Sequence, residues 1–376
     1  MHTFYRYKIA KKAILTTVFF MMVLLVVGNQ LSSAAVASDT EVLLNGKPLG
    51  IHPTVSKGNT FIAVRELSQS LNCKVLWDAT SRSITTLSPT GKAVFKLNSR
   101  HMRLNEVTSS LVASPYIKGG QVYIPLRSIA IALGYELNWQ KNRIDLQGDD
   151  SLIQSSYGDT TAWISYQQRK LYISKSNSKP LQIDDQLPKF KGNKGTALLQ
   201  IRPISGSIFV SIHDNYGEPS IHDDYHQYLI QGSKVVRKIT TAYVSTKSTQ
   251  TLMNTDKDAV MIDGTRVLLV QPSGNIRLEY NMVALMKIEE PFTVEAVYDD
   301  LIVMKLSRSA ILVGYHVNNH TATEFYKKLL SPEEQKKLEE SDPMDIQNSG
   351  DRLKWVKRVA NIIYLERLGH TYELSL

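Results

Sequence analysis

The feature that most constrains this chain is an internal repeat. Residues 120–139 read GQVYIPLRSIAIALGYELNW, and residues 58–77, 62 positions earlier, read GNTFIAVRELSQSLNCKVLW. Gly58 aligns with Gly120, Arg65 with Arg127, Leu71 with Leu133 and Trp77 with Trp139, without a gap. Similarity at a fixed offset marks a repeated supersecondary unit. In the second copy a Gly turn precedes the alternating Val122 and Ile124. Pro125 then ends a strand and opens a helix, where its missing N–H costs nothing. Leu126, Ile129, Ala130 and Leu133 form one apolar helical stripe. Gly134 supplies a left-handed cap, and Tyr135, Leu137 and Trp139 alternate as a strand. The first copy repeats the scheme with Val64, Leu67, Ser68 and Leu71, and Asn72 as the cap. Each unit is predicted to be strand, helix, strand. Neither buries its apolar face alone, so the two should share one core. Trp77 and Trp139 are expected as core anchors of the repeat. Arg65 and Arg127, each near a helix start, are expected to pack on a neighbouring strand or pair with a carboxylate. Anion binding at the helix N-terminus is the functional alternative.

The chain has 376 residues, enough for two or three domains, and a formal net charge of +9. Arg6, Lys8, Lys11 and Lys12 lie in the first 37 residues, which contain no acid. An apolar run, Ala13 to Val27, follows them, and Ala35-Val36-Ala37 reads as an A-x-A cleavage site. The run is shorter than the roughly 20 residues of a spanning helix. Residues 1–37 are therefore expected to be a secretory signal cleaved after about Ala37. The alternative is an uncleaved segment, the one route to a membrane. The mature chain would carry +5, a mild basic excess that suits anionic cell-wall polymers or simply a soluble basic protein. Cys73 is the sole cysteine. It shares a strand face with Val75 and Trp77 and is read as a buried, inert thiol.

The paired pattern resembles the copper amine oxidase N-terminal-like domain of proteins secreted by Gram-positive bacteria. The residues that carry the resemblance are Leu44-Asn45-Gly46, Pro125-Leu126-Arg127, Leu133-Gly134 and Trp77-Asp78. Ala63 and Asn72 depart from the family's Pro and Gly. The resemblance covers residues 40–148, with copies at 42–87 and 94–147. It implies an α+β two-repeat module and is nearly silent on activity. Copper amine oxidases also need an Asn-Tyr-Asp/Glu motif and an H-x-H pair of copper ligands. The nearest match, Asn215-Tyr216-Gly217, lacks the acid, and the nine histidines include no H-x-H. The resemblance thus implies no copper, no other cofactor and no oxidation.

Residues 149–160 are polar and aperiodic, and are read as a linker. From 161 to 376 short alternating strands take over, with Asp263-Gly264 and Ser273-Gly274 as turn signals. Candidate blades at 161–184, 196–239, 241–280, 292–329 and 351–376 suggest an all-β domain, an irregular β-propeller. A β-sandwich is the rival. One helix interrupts, with Ser331 as N-cap, Pro332 at the first position and acids in the first turn.

The best local candidate for a functional surface is the stretch 213–226, read as a long polar loop. It holds His213, Asp214, Tyr216, His222, Asp223, Asp224 and His226, a mixture suited to carbohydrate or peptide contact or to a weak cation site. Read as an exposed loop, its acids should contribute little to stability, so replacing Asp223 and Asp224 by Ala should leave the fold intact. The competing reading is a polar connection. No nucleophile elbow, zinc-protease helix or phosphate loop occurs. Carboxylate pairs such as Asp184-Asp185 and Asp299-Asp300 fall in expected turns. No basic-aromatic alternation points to nucleic acid. These readings point to an exported, envelope-associated binding or scaffolding protein without catalytic activity, its partner a cell-wall polymer or an envelope protein. The alternative is a cell-wall or polysaccharide-active enzyme with carboxylates on β-domain loops. Purified mature protein should contain no stoichiometric copper by elemental analysis and release no peroxide with a primary amine; either signal would overturn the reading of the histidines.

Overall fold

The structure, a computed structural model, describes residues 40–140, 142–183, 186–218, 221–244, 252–341 and 350–376. The expected signal segment and the pair Asp184-Asp185 lie outside the described residues. The fold is mostly β. Among the described residues no helix is long and apolar enough to cross a membrane.

Both copies of the repeat form strand, helix, strand. The first has Asn59–Ala63, helix α1 at Val64–Ser70, and Lys74–Asp78; the second has Gln121–Pro125, helix α2 at Leu126–Leu133, and Glu136–Gln140. The leading strands pair antiparallel, with Ile62 opposite Ile124, Ala63 opposite Tyr123 and Phe61 opposite Pro125. Ile62 therefore faces its own counterpart 62 residues on, and the two copies meet about a local two-fold, as in a self-complementary interface. The helical stripes point inward: Val64, Leu67, Ser68 and Leu71 on α1, and Leu126, Ile129, Ala130 and Leu133 on α2, are all buried. Gly134 caps α2 at φ 87°, and Asn72 takes φ 52° after α1, so the weaker cap still adopts the left-handed turn. Together these side chains form one core with Val42, Ile84, Phe95, Tyr135, Ile144 and Leu146. The strand Glu41–Leu44 closes the unit by pairing parallel to Arg143–Gln147. Cys73 is buried there, and burial pushes its thiol up to about 12.

The positions matched between the two copies, expected to anchor this core, do not. Trp77 is 45% exposed and Trp139 53%. Each lies on an edge strand, Lys74–Asp78 of the five-stranded sheet and Glu136–Gln140 of its four-stranded counterpart. Each is paired with a buried isoleucine, Ile84 or Ile144, on the neighbouring strand. The indole ring covers the sheet margin while the isoleucine fills the core. Arg65 and Arg127 are exposed and take part in no ion pair among the described residues. A step of about 100° per residue turns them away from the stripe that begins one position earlier.

The expected linker is also structured. Leu152–Tyr157 is a strand, the first of a four-stranded meander with Thr160–Ser165, Lys170–Ser174 and Leu181–Gln182. Four further meanders follow: 198–244 with four strands, 259–281 with three, 292–324 with four and 354–375 with three. The strand Lys234–Val244 runs on through the boundary expected near 240. Successive meanders share cores. The first and second meet through Ala162, Ile164, Val210 and Ile230. The second and third meet through Phe209, Leu229, Met261 and Leu268. The third and fourth meet through Val260, Val267, Val294 and Met304, and the fourth and fifth through Val303, Leu312, Ile363 and Leu365. Even- and odd-numbered residues of Ala259–Asp263 thus serve different cores, as the period of two along a strand requires.

The N-terminal unit docks on the outer face of the first meander. Trp163, fully buried, donates its indole N–H to the Asn72 carbonyl at 3.0 Å. Lys74 Nζ donates to Thr161 Oγ1 at 2.8 Å, and Asn72 Nδ2 to the Leu152 carbonyl at 2.9 Å. Because its core is drawn wholly from residues 42–146, a fragment spanning 38–150 should melt cooperatively on its own, below the midpoint it has in the full chain; a molten fragment in circular dichroism would show that the β domain completes its core.

Candidate functional site

The stretch 213–226 is not a loop. Ser207–Tyr216 and His222–Gln231 pair without interruption from Ser207 opposite Gln231 to Tyr216 opposite His222, and Lys234–Val244 pairs along the second of them. Only residues 217–221 lie between the two strands. The hairpin alternates polar residues on both faces at this end, so the sequence shows no hydrophobic period to mark it. The polar side chains instead continue two hydrophobic cores. Asp214, Tyr216, Asp224 and His226 share the face of Val210, Ile212 and Tyr228, towards the first meander. His213, Asn215, Asp223 and Tyr225 share the face of Phe209 and Leu229, towards the third.

On the first face Asp214 is buried and accepts three hydrogen bonds: from Tyr166 Oη at 2.6 Å, from Lys191 N at 2.7 Å and from Gly192 N at 3.1 Å. A Cβ at Gly192 would lie 2.3 Å from the Asn215 carbonyl oxygen and 2.7 Å from Asp214 Oδ1, so only glycine brings that backbone so close. Lys191 Nζ donates to Tyr216 Oη at 2.9 Å and to Asp224 Oδ2 at 3.0 Å. These bonds hold its ammonium more basic than usual. Burial, with help from the Asp214 hydrogen bond, pushes the Tyr166 phenol up. The His226 imidazole bonds Thr240 Oγ1 at 3.0 Å, and its burial outweighs the nearby carboxylates and holds its pKa below the usual value. On the other face Asp223 Oδ1 meets His213 Nε2 at 2.6 Å and accepts from Asn215 Nδ2 at 2.9 Å. His213 stacks on Tyr225 at 4.5 Å, and Tyr216 on His222 at 5.0 Å. The predicted site residues are therefore brought together, but as two polar networks: one joins the hairpin to Tyr166 of the first meander and to Lys191 and Gly192, and the other joins His213, Asn215 and Asp223 within the hairpin. Among the described residues no three His, Cys, Asp or Glu side chains converge to hold a metal. Elsewhere, Asp300 is held by both guanidinium nitrogens of Arg358 at 2.5 and 2.9 Å, a bidentate ion pair between the fourth and fifth meanders.

The open site lies elsewhere. A cavity of about 610 Å³ is lined by Gln200, Arg202, Asn254, Glu295, Lys305, Lys354 and Trp355, with apolar walls from Leu252, Val294, Leu312 and Leu353. Gln200 and Arg202 come from the first strand of the second meander, Glu295 from the first strand of the fourth, and Lys354 and Trp355 from the first strand of the fifth. Glu295 is the extra residue of a β-bulge, since Val294 pairs with Met304 and Ala296 with Val303. A bulge re-aims one side chain out of the alternation. Burial raises the Glu295 pKa above the usual carboxylate value, against the opposing Lys305 charge and a Thr293 hydrogen bond. Lys305 Nζ donates to Asp351 Oδ1 at 2.7 Å and to the Leu353 carbonyl at 2.9 Å. Asp351, fully buried, also accepts from the backbone N–H of Leu312 at 2.7 Å and of Leu353 at 3.0 Å. The Arg202 guanidinium lies over the Tyr157 ring at 4.6 Å. Sequence reasoning missed all of these residues. The signal that could have found two of them is a lone charge inside an apolar strand: Glu295 in FTVEAV and Lys305 in LIVMKL.

Residues 43–147 match the family described as copper amine oxidase N-terminal domain, and a second match to the same family spans residues 113–206. A solved structure described as that of apo AztD from Citrobacter koseri is similar at 8% identity, with 67% of this chain and 84% of that chain covered. Its TM-score of 0.22 is too low to equate the two folds. No curated protein matches the chain.

Because Asp214 and Asp223 are buried acceptors rather than loop charges, each substitution to Ala should cost about 3 kcal/mol or more by stranding several donors. Urea unfolding would measure this. A cost within about 0.5 kcal/mol, the range for a surface position, would return these carboxylates to the role of exposed charges.

Proposed function

With residues 43–147 established as a copper amine oxidase N-terminal domain, we propose that this chain is an exported, envelope-associated binding or scaffolding protein without catalytic activity. The repeat is read as an α+β module that presents the β domain, and the β domain as an irregular propeller. What supports the propeller over a β-sandwich is the succession of five meanders, each sharing a core with the next. The first strands of the second, fourth and fifth meanders also contribute to one cavity. In a propeller the first strands line the centre, where ligands are held.

The observation that carries the binding reading is the lining of that cavity. Among the described residues it gathers several polar groups with one carboxylate, Glu295. A glycosidase of the usual kind needs two carboxyl groups roughly 5 to 9.5 Å apart across the scissile bond. Asp351, behind Lys305, is saturated by three donors. The export pattern at residues 1–37 and the basic balance support an envelope location and a wall polymer or envelope protein as partner. Purified mature protein mixed with Gram-positive cell walls should co-sediment with them and release no reducing ends. New reducing ends would establish the polysaccharide-active alternative, and failure to sediment would remove the wall as the partner.

A further inference from the structure

We propose that the cavity lined by Arg202, Glu295, Lys305 and Lys354 binds a small oxyanion, a phosphate or sulfate carried as a free ester or within a polymer. This rests on the reading of the cavity as a ligand site and specifies the chemistry it takes. Three cationic side chains face one carboxylate in the lining. The charges are not equivalent. Lys305 is committed to Asp351 and the Leu353 carbonyl, which leaves one of its three N–H donors. Among the described residues Lys354 pairs only with the half-buried Glu366, at 3.8 Å. Arg202 forms no ion pair among the described residues; one of its N–H groups donates to the Ile201 carbonyl at 3.1 Å, and its plane is held over Tyr157 at 4.6 Å. A guanidinium fixed by stacking and keeping free donors along its edge is pre-organised for bidentate contact with an oxyanion. The volume of about 610 Å³ exceeds the needs of the anion alone. It leaves room for an attached polyol or sugar, within the usual range of small-molecule sites.

Glu295 gives this site a pH dependence. The bulge takes its side chain out of the strand's alternation, the Lys305 charge acts on it, and burial favours its neutral form. Ionised, it competes with the ligand for the cations; protonated, it donates a hydrogen bond to the oxyanion. Affinity should therefore rise as pH falls through the raised Glu295 value. The other charged groups facing it are Arg202, Lys305 and Lys354, with Asp351 behind Lys305 and Glu366 beside Lys354. Among the described residues no histidine lines the cavity.

The test is calorimetric titration of the mature chain with sulfate, glycerol phosphate and an oligomer of glycerol phosphate, between about pH 5 and 8. Sulfate stays fully ionised there, so its pH dependence reports the protein, and Trp355 in the wall supplies a fluorescence readout. Wild type should bind sulfate and glycerol phosphate, more tightly at the acid end. Arg202→Gln should weaken both by about tenfold or more, the loss expected for a charge-assisted bond, with an unchanged melting temperature. If that variant fails to fold, Lys354→Gln, at an exposed position, serves instead. Glu295→Gln should bind at least as tightly as wild type and lose the pH slope. Tighter binding of the oligomer assigns a polymer source and equal binding a free ester; both support the site. The inference is overturned if wild type binds none of the three at millimolar concentration, or if Arg202→Gln and Lys354→Gln both bind like wild type. Walls that still sediment with a chain blind to sulfate and phosphate would overturn this inference and leave the binding reading standing.

Discussion

The strand Thr160–Ser165 is buried along its whole length and on both faces. Ala162 and Ile164 point into the core shared with the second meander. Trp163 and Thr161 point the other way, to Asn72 and Lys74 of the repeat. Both halves of the molecule depend on this strand. Burying a Trp is worth several kcal/mol in apolar area, but its N–H must then find an acceptor. The carbonyl of Asn72 is available because α1 ends there in a left-handed turn. The cap of one helix and the seat of the β domain are thus the same residue.

Beyond that strand the β domain is built by passing a buried face from sheet to sheet. A sheet with two apolar faces cannot sit at a surface, so each inner meander requires a neighbour on either side. The two cores flanking the hairpin 207–231 are apolar in the middle and polar at the end where the hairpin extends beyond its aliphatic residues. Asp214, Asp223 and Asp224 are tolerated because each receives donors from its neighbours. They fix the geometry of the hairpin and, through Asp214 and Tyr166, of the adjoining meander. The cavity differs in kind. Its charged groups are only partly matched to each other, and one of them stands on a bulge that breaks the alternation. Satisfied networks hold structure together, whereas an unbalanced, concave cluster is what a ligand can complete.

Much of this was legible in the residues. The repeat, its helices, its caps and the inward stripes follow from period and turn chemistry, and they lie where the spacing puts them. Most strands of the β half were visible as short alternating runs. The errors share a cause. Residues 149–160 and 213–226 are polar, and in sequence alone polarity reads as loop. Leu152–Tyr157 is instead a strand laid against its neighbour, and the hairpin acids are buried by sheets that are distant in sequence. Trp77 and Trp139 recur as matched apolar positions of the repeat, but an edge strand lets a large ring stay half outside. The cavity was invisible because its residues come from segments more than 150 positions apart.

By itself, the sequence determined the local structure: where the chain turns, which helical faces are apolar, that two similar units must bury those faces together, and that a run of short strands follows. These are properties of neighbouring residues, governed by backbone dihedrals and side-chain period. Only the tertiary structure decided which polar groups are buried, which charges meet, and which remain unmatched. Burial and charge pairing depend on what packs opposite a residue. For Asp214 that is a glycine-bearing loop, and for Glu295 it is a bulge that brings it under the charge of Lys305 in a cavity built by several meanders, neither of which any local pattern encodes.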